Sequence, residues 1–282
     1  LALLASGCLA LLVIALALLV ATARPGGGPG VLGGVPGGPA LAPGNGFPGR
    51  FFGPFMDTSM GGARWKGCPC PVVALGFVLA GSDGRPAWNG NQPLDAMKSL
   101  VASMRAAGKE PICSFGGEAG TELGSVIKDA GALAKAYLAV IDAYAFKWAD
   151  FDIEGASLSD AASVDRRNAA IARLQANARA AGRPLVVAYT LPVLPTGLTS
   201  GGRALLASAL ARGVEIDAVN VMAMDYGDGA APNPSGQMGT YATQAATSTK
   251  NQLKTIYANA GRTLTDGEAW RLVGITPMIG VN

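Results

Sequence analysis

The chain has 282 residues, half of them hydrophobic and 15% charged, and a net charge of +3 from 22 Lys+Arg against 19 Asp+Glu. That balance supplies a sizeable core, and its mild, scattered basic charge argues against nucleic acid or an acidic membrane surface as a partner. There is no histidine, which excludes a Ser-His-Asp or Cys-His site and a His-ligated zinc within this chain and leaves acid-base chemistry to carboxylates, Tyr, Lys or Cys.

Residues 1–20 are almost wholly apolar, broken only by Ser6, Gly7 and Cys8, and Ala21-Thr22-Ala23 then supplies a small-x-small cleavage pattern. Residues 1–23 therefore read as a signal peptide, with an uncleaved membrane anchor as the alternative, since roughly 20 apolar residues span a bilayer. From Pro25 to Gly49, 17 of 25 residues are Gly or Pro with no Gly-X-Y period. Such a stretch holds neither helix nor ladder, so 24–50 is a linker and not collagen. Leader, linker and globular domain together predict an extracellular protein, secreted or anchored with its domain outside.

From residue 51 to 282 strand-like and helical patterns alternate. Strands are predicted at 51–56, 72–79, 111–115, 148–153, 185–191, 216–224 and 272–278, with helices at 94–107, 125–144, 163–181, 202–211 and 240–260. In 125–144 the residues Val126, Ala130, Leu133, Tyr137, Ile141 and Tyr144 recur at three- and four-residue spacing, as an amphipathic helix requires. Alternation of this kind predicts a parallel sheet. Seven strands, with no Gly-x-Gly-x-x-Gly after the first, favour a (β/α)8 TIM barrel, truncated after about the seventh strand, with the eighth expected beyond Asn282. Cys8 lies in the leader, Cys68 and Cys70 form Cys-Pro-Cys, and Cys113 lies in a strand. No metal site follows from them, and both free thiols and a bridge from one of the pair to another cysteine remain open.

The segment Trp148-Ala149-Asp150-Phe151-Asp152-Ile153-Glu154-Gly155 carries the chemistry. Side chains alternate along a strand, so Asp150, Asp152 and Glu154 share one face and Phe151 and Ile153 the other. In a barrel the acidic face is the interior, and Glu154 lies at the C-terminal rim where barrel active sites are built. Three acids in a partly dry interior cannot all ionise cheaply, so at least one keeps a proton. The outermost, Glu154, is expected to hold it. An EF-hand start fits poorly, because Phe151 and Ile153 fall at polar positions and Ala161 stands where the bidentate Glu belongs. A solvated acidic edge strand is disfavoured by the strongly apolar opposite face.

Asp-Phe-Asp-Ile-Glu resembles the Asp-x-x-Asp-x-Asp-x-Glu signature of glycoside hydrolase family 18. Ser114-Phe115-Gly116-Gly117 resembles that family's Ser-x-Gly-Gly on the third strand, and Met222-Ala223-Met224-Asp225-Tyr226-Gly227 its Met-x-Tyr-Asp region on the sixth. The three occur in order over residues 51–282. The resemblance implies a substrate-assisted retaining glycosidase acting on chitin or chito-oligosaccharides, with no cofactor, no metal, and a monomeric chain with no protein partner. It assigns Glu154 as general acid, Asp152 as the group that orients the acetamido oxygen, and Asp150 as the partner that tunes Asp152. Asp225 would contact the sugar, Gly116 and Gly117 would let backbone approach the site, and Ser114 and Met222 would line it. Lys147 stands where the family's first Asp often lies. Met224 stands where a Tyr is usual, with Tyr226 two residues later as the candidate substitute. Trp88, in a predicted loop after the second strand, is a candidate sugar platform, against the reading of a Trp packed on the domain; Phe52 and Phe55 read as core. Within the enzyme class the alternative is an endo-β-N-acetylglucosaminidase acting on N-glycans. Outside it, a non-catalytic chitin-binding lectin is the alternative, disfavoured because such proteins typically lack the strand-end Glu; a periplasmic-type binding protein fits the acidic strand worse.

Overall fold

The structure is a computed structural model that describes residues 50–60 and 64–278. The predicted leader and nearly all of the predicted linker lie outside these residues. Seven strands run parallel in chain order: β1 (Phe55–Asp57), β2 (Val72–Ala80), β3 (Glu110–Gly116), β4 (Trp148–Asp152), β5 (Val186–Leu194), β6 (Ala218–Met222) and β7 (Val273–Thr276). Each pairs with its neighbour in sequence. The crossovers carry α1 (Lys98–Ala106), α2 (Ala130–Tyr144), α3 (Ala161–Ala180), α4 (Ser200–Ala211), α5 (Met238–Asn259) and α6 (Asp266–Arg271). The result is a curled parallel sheet, a (β/α)8 barrel truncated after its seventh strand. Among the described residues, β1 and β7 are its two edges.

Helix α2 buries Leu133, Ala134, Tyr137, Val140, Ile141 and Tyr144, one stripe facing the sheet. Its start is set by Asp129, whose carboxylate accepts the N–H of Ala132 at 2.7 Å. Asp160 caps α3 in the same way, accepting from Ala162 and Ser163. Outward residues of the strands, such as Leu75, Cys113, Phe115, Phe151 and Tyr189, form the main core with these helices.

Inside the curl the residues are stratified. Phe51, Phe55, Val72, Ala74, Ile112, Trp148, Val186, Ala188 and Ala218 form a separate apolar floor. One step toward the C-terminal ends of the strands, the inward positions turn polar: Ser114, Asp150, Thr190, Asn220 and Thr276. An apolar plug beneath a polar layer fixes the end at which chemistry occurs.

Three local features differ from the sequence-based expectations. The first strand starts at Phe55 rather than at 51; Phe55 and Phe52 are core as expected, Phe55 in the floor and Phe52 against the outer layer. The segment after β2 folds back as a short strand, Pro86–Trp88, antiparallel to β2. Cys68 is joined to Cys70, its near neighbour, while Cys113 is a buried free thiol.

Candidate active site

Strand β4 is buried along its whole length. Asp150 sits directly above the apolar floor. Its Oδ2 accepts from the Ser114 hydroxyl at 2.6 Å and its Oδ1 from the Thr190 hydroxyl at 2.7 Å. Asn220 donates through Nδ2 to Thr190 Oγ1 at 3.1 Å and to Thr276 Oγ1 at 2.6 Å. One polar chain thus links β3, β4, β5, β6 and β7. Burial pushes the Asp150 carboxyl up from its ordinary 3.8 to about 6, against the two hydroxyl donors, which favour the charged form.

Asp152, two residues further up, is also buried. Its Oδ1 has no hydrogen-bond partner, and it shares a side-chain hydrogen bond with Glu154. Burial first, then the charges of Asp150 and Glu154, raise its pKa well above the ordinary value. Glu154 follows β4 in extended backbone and leads into a single helical turn, Gly155–Ser159. Burial also raises its pKa; the Asp152 hydrogen bond opposes that shift, and the charges of Glu118 and Asp225 reinforce it. The two carboxyls share one hydrogen bond, and burial with neighbouring acids raises both; Asp152, the deeper of the two, has an acid on either side of it along the chain.

The Ser-x-Gly-Gly turn is tied to this strand through its backbone. Gly116 has φ +104°, and a Cβ there would lie 2.0 Å from the Asp152 carbonyl oxygen. Gly117 has φ +89° and donates its N–H to the same oxygen at 2.9 Å. Only glycine permits this approach.

Phe77, which no sequence motif marks, lies against the same turn. Between Leu75, which pairs with Cys113, and Val78, which pairs with Phe115, the register shifts. Gly76 and Phe77 then share the place opposite Ser114. The bulge takes Phe77 out of the outward-facing set and lays its ring on Gly117, where a Cβ would meet it at 2.9 Å. The ring lies 6.3 Å from that of Phe55 and stays half-buried. Asn89 braces it, donating its N–H to Phe77 O at 2.8 Å and accepting the Phe77 N–H on Oδ1 at 3.4 Å.

The structure brings Ser114, Gly116, Gly117, Asp150, Asp152 and Glu154 together, with exposed Asp225 in electrostatic reach of Glu154. Met222 is half-buried on β6, paired in register with Thr276. Two expected residues are elsewhere. Trp88 is fully buried, with its Nε1–H donated to the Tyr144 hydroxyl at 2.9 Å, so it has no face to offer a sugar. The Asn-Gly after it closes a hairpin instead of exposing a loop. Tyr226 lies in the apolar layer outside the strands, its ring 6.2 Å from that of Tyr241 on α5. Its hydroxyl is buried without a partner, and burial alone lifts its pKa to about 12. The left-handed turn at Asp225, φ +48°, breaks the alternation that would have aimed Tyr226 inward. Lys147 also lies apart from the acids, paired with Glu110 at 3.2 Å.

No protein-family model matches the chain. Among solved structures, the catalytic domain of a hyperthermophilic chitinase from Pyrococcus furiosus is 32% identical, with a TM-score of 0.71 over 83% of this chain and 74% of that one. The chain belongs to glycoside hydrolase family 18, among its chitinase-like members. Catalytic-site mutants of active domain 2 of the Pyrococcus enzyme, solved with chito-oligosaccharides, match at a TM-score of 0.70. Of curated relatives, a probable bifunctional chitinase/lysozyme of Escherichia coli is 39% identical and Endochitinase 11 of Metarhizium anisopliae 38%, each over 191 residues and 66% of this chain. The alignments span 21% and 36% of those two longer proteins.

Proposed function

We propose that this family 18 chain hydrolyses β-1,4-linked N-acetylglucosamine polymers by a substrate-assisted retaining mechanism. The observation that carries this reading is the Asp152 carboxyl, held between two other acids with one oxygen unpartnered. An acetamido N–H is the kind of donor that oxygen lacks. Bound there, the acetamido group would present its own oxygen to the anomeric carbon, and Asp152 would stabilise the positive charge that develops on the ring formed. Glu154 would protonate the departing glycosidic oxygen and then take a proton from the water that opens the intermediate. Asp150, anchored by Ser114 and Thr190, would keep negative charge behind Asp152 throughout. The relatives' names and the chito-oligosaccharide complexes of the Pyrococcus domain support the substrate class. An insoluble polymer cannot enter a cell, which accords with the leader and linker read in residues 1–50 and with action outside the cytoplasm.

The test is hydrolysis of a fluorogenic N-acetylglucosamine oligomer by the full-length protein beside Glu154→Gln. Loss of about 10²–10⁴ in rate is expected, the usual worth of a general acid. Wild-type activity in the variant would reject the assignment. Cleavage of an N-glycan core but not of the oligomer would favour an endoglycosidase, and binding without turnover a lectin.

A further inference from the structure

Glu154 stands at a joint in the chain. Gly155, next to it, takes a left-handed conformation, φ +48°, and a Cβ there would meet nothing within 4 Å. The backbone leaves β4 through a permissive residue that crowding does not lock. The turn Gly155–Ser159 follows, and its Leu158 N–H is donated to the Glu154 carbonyl at 3.2 Å, so movement of the turn moves the acid. On one side packing holds it: Leu158 is buried, and a Cβ on Gly201 of α4 would lie 3.1 Å from the leucine side chain. On the other side the Ser157 hydroxyl meets the Ser125 hydroxyl at 3.3 Å. Ser125 is itself fixed, in the short helical turn Leu123–Val126, which two successive arginines of α3 grip. Arg166 donates to the Gly124 carbonyl through Nε at 3.0 Å and Nη2 at 2.5 Å, and Arg167 holds Glu122 at 2.6 Å. Helix α3 is capped by Asp160, directly after the Glu154 turn. The contacts therefore close a ring, from the Glu154 turn through α3 and its arginines to Ser125 and back through Ser157.

We propose that Ser125 and Ser157 are positioning residues for the reaction: their hydroxyl pair latches the Glu154 turn to the arginine-held turn after β3, and so fixes where the acid meets the glycosidic oxygen. The inference rests on Glu154 being the proton donor. One hydrogen bond between two half-buried hydroxyls adds little to the fold. A reacting group displaced by about 1 Å, however, can lose on the order of 10²-fold in rate. The pair thus matters more to turnover than to stability.

The experiment compares Ser125→Ala, Ser157→Ala and the double variant with wild type in the full-length protein. It reads kcat and KM on the fluorogenic N-acetylglucosamine oligomer, thermal unfolding, and amide exchange in residues 155–159. Each single variant should lose about three- to tenfold in kcat, with KM within about twofold and melting within about 4 °C of wild type. Exchange in the turn should quicken in both. Because the two hydroxyls form one bond, the double variant should be no worse than either single one. Ser157→Thr keeps a hydroxyl and should retain most of the wild-type kcat. An active wild type with undiminished kcat in either single variant overturns this proposal alone, as do unchanged exchange in the turn, a rise in KM without a fall in kcat, or losses that multiply in the double variant. A wild type that binds the oligomer without cleaving it rejects the functional reading, and this inference with it.

Discussion

Ser114 and Asp150 are register partners on β3 and β4, and the serine hydroxyl donates to the aspartate across 2.6 Å. The contact places a carboxylate where burial holds its pKa at about 6, above its ordinary 3.8. A group raised in the folded state contributes stability that is present below about 3.8 and lost as pH rises through about 6. Asp152 and Glu154, raised in the same direction, add to that slope. Asp150→Asn should therefore be the more stable protein at neutral pH, by on the order of 2–3 kcal/mol, and the difference should vanish near pH 4. Thermal unfolding at the two pH values checks this. Activity of the same variant should fall sharply, a stability–activity trade-off.

The approach of the third strand's turn to β4 makes a steric prediction. Gly116→Ala puts a methyl 2.0 Å from a backbone oxygen at φ +104°, and neither can yield without moving a strand. A loss of about 3 kcal/mol or more in urea unfolding is expected. Gly213→Ala, also at positive φ (+78°) but with nothing within 4 Å, should cost about 1 kcal/mol.

Glu122 and Arg167 form a fully buried pair, and Arg167 Nε and Nη1 have no further partner. Arg167→Met alone leaves a buried carboxylate with no opposite charge, bonded to the Tyr137 hydroxyl and the Gly124 backbone, and should cost about 3–5 kcal/mol. The double variant Glu122→Leu/Arg167→Met should recover much of that loss. A double-mutant cycle in urea measures the difference.

Two aromatic substitutions separate core from site. Trp88→Phe removes a buried hydrogen bond to Tyr144 and should lower stability by about 1 kcal/mol with KM unchanged. Phe77→Ala should raise KM for the oligomer about fivefold, with a smaller effect on unfolding.

Most of the barrel was legible because its strands and helices keep their periods. The alternation of acids in 148–154 carries the shared face in its spacing alone. Phe77 was hidden because Val72–Ala80 is apolar throughout, so the slip that turns this ring inward leaves no mark on the pattern. The Glu122–Arg167 pair joins residues 45 apart, and only the docking of α3 beside the β3 loop brings them into contact. Trp88 was misplaced because Asn89-Gly90 signals a turn equally well for a loop and for a hairpin. How strongly each acid of the strand is desolvated depends on its depth, which spacing alone does not carry.

The hydrogen-bonded chain from Ser114 through Asp150, Thr190 and Asn220 to Thr276 gives the sheet a common reporter. Fraying at β7 would free Thr276 and then Asn220, leaving Thr190 to reorient and Asp150 with one donor fewer. Amide exchange along Val273–Thr276 should accordingly quicken or slow with the ionisation of an aspartate three strands away, making the outermost strand a gauge of charge at the centre.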